Sequence, residues 1–261
     1  MIYRPIFLLQ LFVSMTLGPA FSSASEITYL SATPFEDITQ EKTINPRNIG
    51  FVLLDRVLAD SKISLHSQSI PTMRVHQAIN RRSYPNWVVL AVETSDFKSF
   101  NDLSDKYEVS DTIFELQCAI VSHHTTTTPP YSITKEDNAT LGLVAHVSEV
   151  DVANRATPFP IKFVAVKTYS HGLKMLMAGR LSYLATTVEA FALTAASARL
   201  EKSLFDIHEC HNNKIVKLLF YIDNKMQPET IGLIKQKLQQ AIANGTAQKV
   251  YDEFYGKYLT E

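Results

Sequence analysis

Short apolar runs that alternate with segments of helical period constrain this chain more than any other feature. Trp87 to Val92 (WVVLAV) is continuously apolar and Ile215 to Ile222 (IVKLLFYI) nearly so. Runs without polar alternation suit strands buried on both faces, as in a sheet covered by helices on either side. Ile27 to Leu30, Ile63 to Ile70, Thr112 to Ser122, Leu141 to His146, Ile161 to Val166 and Leu181 to Thr186 complete the strand set. Asn48 to Ala59, Pro71 to Arg81, a short helix opening at Ser148, Tyr169 to Gly179, Val188 to Leu200, Pro228 to Ala243 and Thr246 to Leu259 fit helices. Pro71 suits a helix start, and Gly179 and Gly245 suit helix ends. Strands alternating with helices of this length imply an α/β architecture with mostly parallel sheets.

The 261 residues are 46% hydrophobic with a formal net charge of −1, so disorder is excluded as the main state and one large domain or two lobes are expected. That charge gives no field to hold a polyanion, and nucleic acid is not an expected partner. The amino terminus differs from the rest. Arg4 is the only charge before Glu26, Ile6 to Leu17 is largely apolar, and Ser22-Ser23-Ala24-Ser25 follows. This is the pattern of a secretory signal over residues 1–24, with cleavage after Ala24; an uncleaved anchor is the alternative.

In an exported chain, Cys118 and Cys210 favour one disulfide, two buried thiols being the alternative. His208-Glu-Cys-His211 and His123-His124 show no partner pair with metal-ligand spacing, so a polar loop is expected there and no metal or other cofactor. No Gly-x-Ser-x-Gly elbow, His-Glu-x-x-His or phosphate loop is present.

Four stretches together resemble the bacterial extracellular solute-binding proteins of family 3, with the type 2 periplasmic binding fold. They are Ala32-Thr33-Pro34-Phe35, Leu103-Ser104-Asp105-Lys106-Tyr107, Leu173 to Leu184 around Gly179-Arg180, and Leu238 to Tyr258. The resemblance implies two α/β lobes, each a mostly parallel sheet flanked by helices, joined by two hinge strands near Asp111 to Glu115 and Asn213 to Leu218. The first lobe would comprise residues 25–113 and 215–261 and the second residues 114–214. Cys118 and Cys210 then fall on one lobe, which favours their pairing.

The resemblance carries over to the site in part. Phe35, Trp87 and Tyr107 are expected to wall the cleft, and Ser148 matches the family's anion-holding turn. Thr94, in Thr94-Ser-Asp-Phe-Lys98, keeps the threonine of the family's Thr-x-x-Arg pattern, while the arginine is missing. Thr187 stands where the family's ammonium-binding Asp would be, and Ser182 replaces another Asp. Arg74 can grip a carboxylate or phosphate through paired hydrogen bonds, and Glu93 can meet a cationic group.

The expected function is capture of a small polar solute, amino-acid-like or another carboxylate, by a monomeric periplasmic protein without chemistry of its own. It would serve an inner-membrane ABC permease or a sensor. A dehydratase-like enzyme on the same fold, or a degenerate clamp acting as a protein-interaction domain, are the alternatives.

Overall fold

The computed structural model describes residues 26–32, 49–70, 72–93, 103–133, 138–144, 161–211 and 215–259. The expected signal segment, Phe35, Thr94 and the helix opening at Ser148 lie outside them.

Strand β1 (Glu26–Ala32) sits between β2 (Ser64–Ile70) and β3 (Trp87–Val92), parallel to both. The second half repeats the plan. Strand β5 (Thr140–Val144) lies between β6 (Lys162–Val166) and β7 (Tyr183–Thr187), again all parallel. Two long strands join the halves. Strand β4 (Tyr107–His123) and β9 (Ile215–Asp223) pair antiparallel, and β9 also pairs antiparallel with β3. Through Gln117, β4 pairs with β9; from Cys118 onward it pairs with β7. The chain therefore changes sheet between two consecutive residues, with register shifts just before, between Val109 and Phe114.

Helices α1 (Ile49–Leu58), α2 (Thr72–Asn80), α3 (Tyr169–Met177), α4 (Val188–Ser197) and α5 (Pro228–Ala243) cover these sheets. Helix α6 begins as Thr246–Tyr251, widens to a π turn over Asp252–Gly256 and closes with Lys257–Leu259. Pro228 sits in the first turn of α5, where the missing N–H costs nothing. Gly245 separates α5 from α6 at φ 75°, a left-handed conformation that glycine adopts without strain.

The continuous apolar runs are explained by cover on both faces. Ile27 and Tyr29 of β1 join the core beneath α1 and α5 with Leu53, Leu54, Phe220 and Leu238, while Leu30 joins Trp87, Val89 and Ile79 beneath α2. In the second half, Leu184 packs with Leu173 and Phe191 beneath α3 and α4, and Tyr183 with Ile120 and Leu141 on the other face. Helix α3 approaches β7 so closely that a Cβ on Gly172 would stand 2.6 Å from Leu184 Cδ1. Truncating a fully buried leucine such as Leu53 to Ala would cost about 2–5 kcal/mol.

Two elements differ from the sequence expectation. The first long strand begins at Tyr107 rather than Thr112, because Tyr107, Glu108 and Val109 already pair with β9, ahead of the polar Ser110 and Asp111. Strand β8 (Phe205–Glu209), which pairs antiparallel with β4, replaces part of the expected polar loop through His208. Only Phe205 of its five residues is buried, so its apolar signal is faint. Cys118 and Cys210 form a disulfide with Cα atoms 5.6 Å apart, fastening β4 just past the sheet change to the end of β8. Among the described residues no helix is long and apolar enough to cross a membrane.

Candidate functional site

In open α/β sheets, ligands bind beyond the carboxyl ends of the parallel strands. Register shows where those ends lie. In the first half, Val92 at the end of β3 pairs with Leu218 of β9, and Leu218 with Phe114 of β4. The next residue, Glu93, donates its backbone N–H to the Lys217 carbonyl at 2.9 Å, and Lys217 pairs with Glu115. In the second half, Thr187 at the end of β7 pairs with Cys118. Both sets of carboxyl ends thus meet β4 between residues 115 and 118, roughly 10 Å of strand at about 3.4 Å per residue. The described part of the candidate site is this crossing.

The side chains there are polar and partly uncovered. Lys217 Nζ lies 4.0 Å from Glu93 Oε2, with both side chains 45% exposed, so the pair is loose and open to solvent. Lys217 was not singled out by sequence, where it is one polar residue inside an apolar strand; pairing register is what brings it to Glu93. Thr187 is buried and caps α4, its Oγ1 accepting the Ala190 N–H at 3.1 Å. Thr168 caps α3 in the same way, accepting the His171 N–H at 3.1 Å just past the end of β6. Each cap satisfies one orphan N–H of its helix and leaves the positive end of the dipole facing the carboxyl-end edge. Arg74 is exposed in the first turn of α2, which follows the end of β2, two strands away from β3.

The other sequence candidates separate by level. Trp87 is 1% exposed and opens β3, so it lies roughly 16 Å from that strand's carboxyl end at about 3.3 Å per residue. The structure places it in the core beneath α2. Tyr107 opens β4 opposite Asp223, at the same far end, with its ring edge-on to Tyr221 at 4.9 Å. Neither aromatic stands at the crossing; aromatic identity alone did not tell a wall of the cleft from a wall of the core. Ser182 is also at the amino end, exchanging hydrogen bonds with Thr140 of β5 (Ser182 N–H to Thr140 Oγ1 at 3.0 Å, Thr140 N–H to Ser182 Oγ at 3.1 Å). Phe35, Thr94 and Ser148 lie outside the described residues.

Glu189 is a further polar residue near the crossing that no local sequence pattern marks. It is 4% exposed in the first turn of α4. The Gln117 N–H donates to both of its carboxylate oxygens at 3.2 Å, and the Tyr251 O–H donates to Oε1 at 2.7 Å. Burial, then the carboxylate of Glu189, holds the Tyr251 hydroxyl well above the ordinary phenol range. His208 hydrogen bonds Ser122 at 3.1 Å and packs edge-on to Tyr131; burial lowers its pKa. Among the described residues, no three His, Cys, Asp or Glu side chains gather to hold a metal ion.

No family model and no curated protein matches this sequence. Solved structures do. The chain is similar to AbpA from Streptococcus pneumoniae, an amino acid ABC transporter substrate-binding protein bound to L-arginine (TM-score 0.67, 9% identity, 91% of this chain and 97% of that one). It is similar to a mutant of ArgBP from T. maritima (TM-score 0.66, 13% identity, 89% and 96%). It is also similar to the GluR0 ligand-binding core from Nostoc punctiforme in complex with L-glutamate (TM-score 0.65, 14% identity, 88% and 99%). Likeness over nearly the whole of each chain, joined to the doubled parallel sheet and the two connecting strands, establishes that this protein has the two-lobe type 2 periplasmic binding fold.

Proposed function

We propose that the protein captures a small polar solute, an amino acid or another carboxylate, between its two lobes, acting as a monomer in the periplasm without catalysing a reaction. An ABC permease or a sensor would receive the solute. The observation that carries this reading is the convergence of both sets of strand carboxyl ends on the crossing in β4, with Glu93, Lys217 and the capped start of α4 at it and the capped start of α3 farther along the same carboxyl-end edge. Such a site suits a solute with both an anionic and a hydrogen-bonding end, since capped helix starts favour anions and a half-exposed ion pair can exchange partners. The structures named above, which bind L-arginine and L-glutamate, support the amino-acid-like class.

The lobes would span residues 25–113 with 215–261, and 114–214; the change of strand partner within a few residues of 114 supports that division. A thermal-shift screen against the amino acids, polyamines, dicarboxylates and small sugars tests the reading. A true solute at a hundredfold excess over its Kd stabilises the fold by about 2.7 kcal/mol. A flat response across all four classes would contradict it.

A further inference from the structure

Leu218 and Phe220 of β9 face the core that Tyr251 packs against, and Leu219 and Tyr221 face the opposite core, so Lys217 of the site just described is on that opposite face, the front of the crossing, and Glu189, bonded to Tyr251, acts behind it. Its helix, α4, belongs to the second sheet and starts at Thr187, one of the residues at the crossing. Its two hydrogen-bonding partners belong elsewhere: Gln117 is the last residue of β4 paired with β9, and Tyr251 is on α6, which packs with the core of the first sheet. Glu189 is therefore a buried carboxylate that holds three separate elements, one from each half and the strand between them.

Other contacts follow the same line. The Tyr251 ring lies 6.3 Å from Phe114 of β4 and 5.2 Å from Tyr255, which is buried in the π turn of α6. Leu193 of α4 belongs to the first core, with Phe114, Val250 and Tyr255. Farther along, Lys202 Nζ donates to the backbone carbonyl of Tyr258. Helix α4 is thus fastened to the first half by hydrogen bonds at its start and packing at its middle, and the turn that follows it, Lys202–Leu204, adds a further hydrogen bond. A π turn inserts an extra residue into a helix and is frequent where a helix must present a functional side chain.

We propose that Glu189 is a positioning residue: its hydrogen bonds to Gln117 and Tyr251 form a clasp behind the crossing that fixes the resting angle between the two halves. The clasp sets how far apart the carboxyl-end edges stand before any solute arrives. A buried carboxylate suits this task because it is costly to leave unsatisfied, so the three elements stay in one arrangement. The consequence for solute affinity rests on the two-lobe capture reading above; the geometric claim does not.

The test is made on the full chain without solute. Paired spin labels at the exposed positions Asn80 on α2 and Lys174 on α3 report the distance between halves, and amide exchange reports the Gln117 N–H. E189A is expected to speed Gln117 exchange at least tenfold and to shift or broaden the distance distribution. Y251F, which removes one bond and keeps the ring packing, should give a smaller change of the same kind. E189Q can accept from Gln117 and donate to the Tyr251 oxygen, so it should restore the native distribution. A native distribution in both E189A and Y251F, with Gln117 exchange accelerated in E189A, would overturn the proposal, leaving Glu189 as a local hydrogen-bond acceptor. If E189A does not fold, Y251F and E189Q decide alone: a native distribution in Y251F overturns the proposal, and a shifted one restored in E189Q supports it. Because no solute is present, a failed solute screen leaves this outcome untouched.

Discussion

The front and the back of the crossing are built to opposite rules. In front, Glu93 and Lys217 are half-exposed and 4.0 Å apart. Behind, Glu189 is 4% exposed and its carboxylate is held by two donors within 3.2 Å. Loose, solvated charges can change partners at little cost, whereas a buried, satisfied carboxylate cannot. On the proposed reading, one strand serves both a site that accepts a guest and a joint that keeps its geometry.

Substitutions can break or sharpen that contrast. The largest loss of stability is expected from the C118A/C210A pair. The bridge closes a loop of 92 residues beside the crossing, and its removal should cost about 4–5 kcal/mol on the chain-entropy model, read by denaturant unfolding. Next comes E189A, which leaves the Gln117 N–H and the Tyr251 hydroxyl without their acceptor; about 2 kcal/mol should be lost in the same assay.

Alkaline pH should weaken the back before the front. Burial pushes the Tyr169 hydroxyl up to about 12 and holds Tyr251 and Tyr255 higher still, against 10.0 for an ordinary tyrosine. Above about pH 10 the unfolded chain releases these protons while the folded chain keeps them, so the folded state binds more protons and stability falls as pH rises. Unfolding midpoints measured from pH 8 to 11.5 should decline beyond pH 10, and less steeply in Y251F.

The smallest effect on stability belongs to the front. E93Q or K217M should change unfolding by less than about 1 kcal/mol, as half-exposed ion pairs contribute little. The same variants should reduce the stabilisation that a bound solute confers. A loss of several kcal/mol from either would show that the front pair is structural.

Much of the fold was legible in sequence because cover on both faces leaves unbroken apolar runs; β3 spans Trp87–Val92 and α5 spans Pro228–Ala243, as their residues imply. Strand β8 was not legible, since an edge strand with one buried residue carries no usable period. The site was legible only in part. Glu93 follows a strand that can be read locally, and Thr187 follows the Gly-Arg strand of the family resemblance, so both stand out in the sequence. Lys217 needs the β3–β9 register and Glu189 needs the meeting of α4 with α6, and both are long-range facts that no local pattern encodes. Trp87 shows the converse: a large aromatic beside a predicted strand end says nothing about which end of the sheet it occupies.

Small-angle X-ray scattering of the full chain, with and without the solute that stabilises it most, tests the central claim most directly. The account predicts that the radius of gyration contracts on saturation, as two halves close over the crossing between Glu115 and Cys118. An unchanged radius at saturation would contradict it.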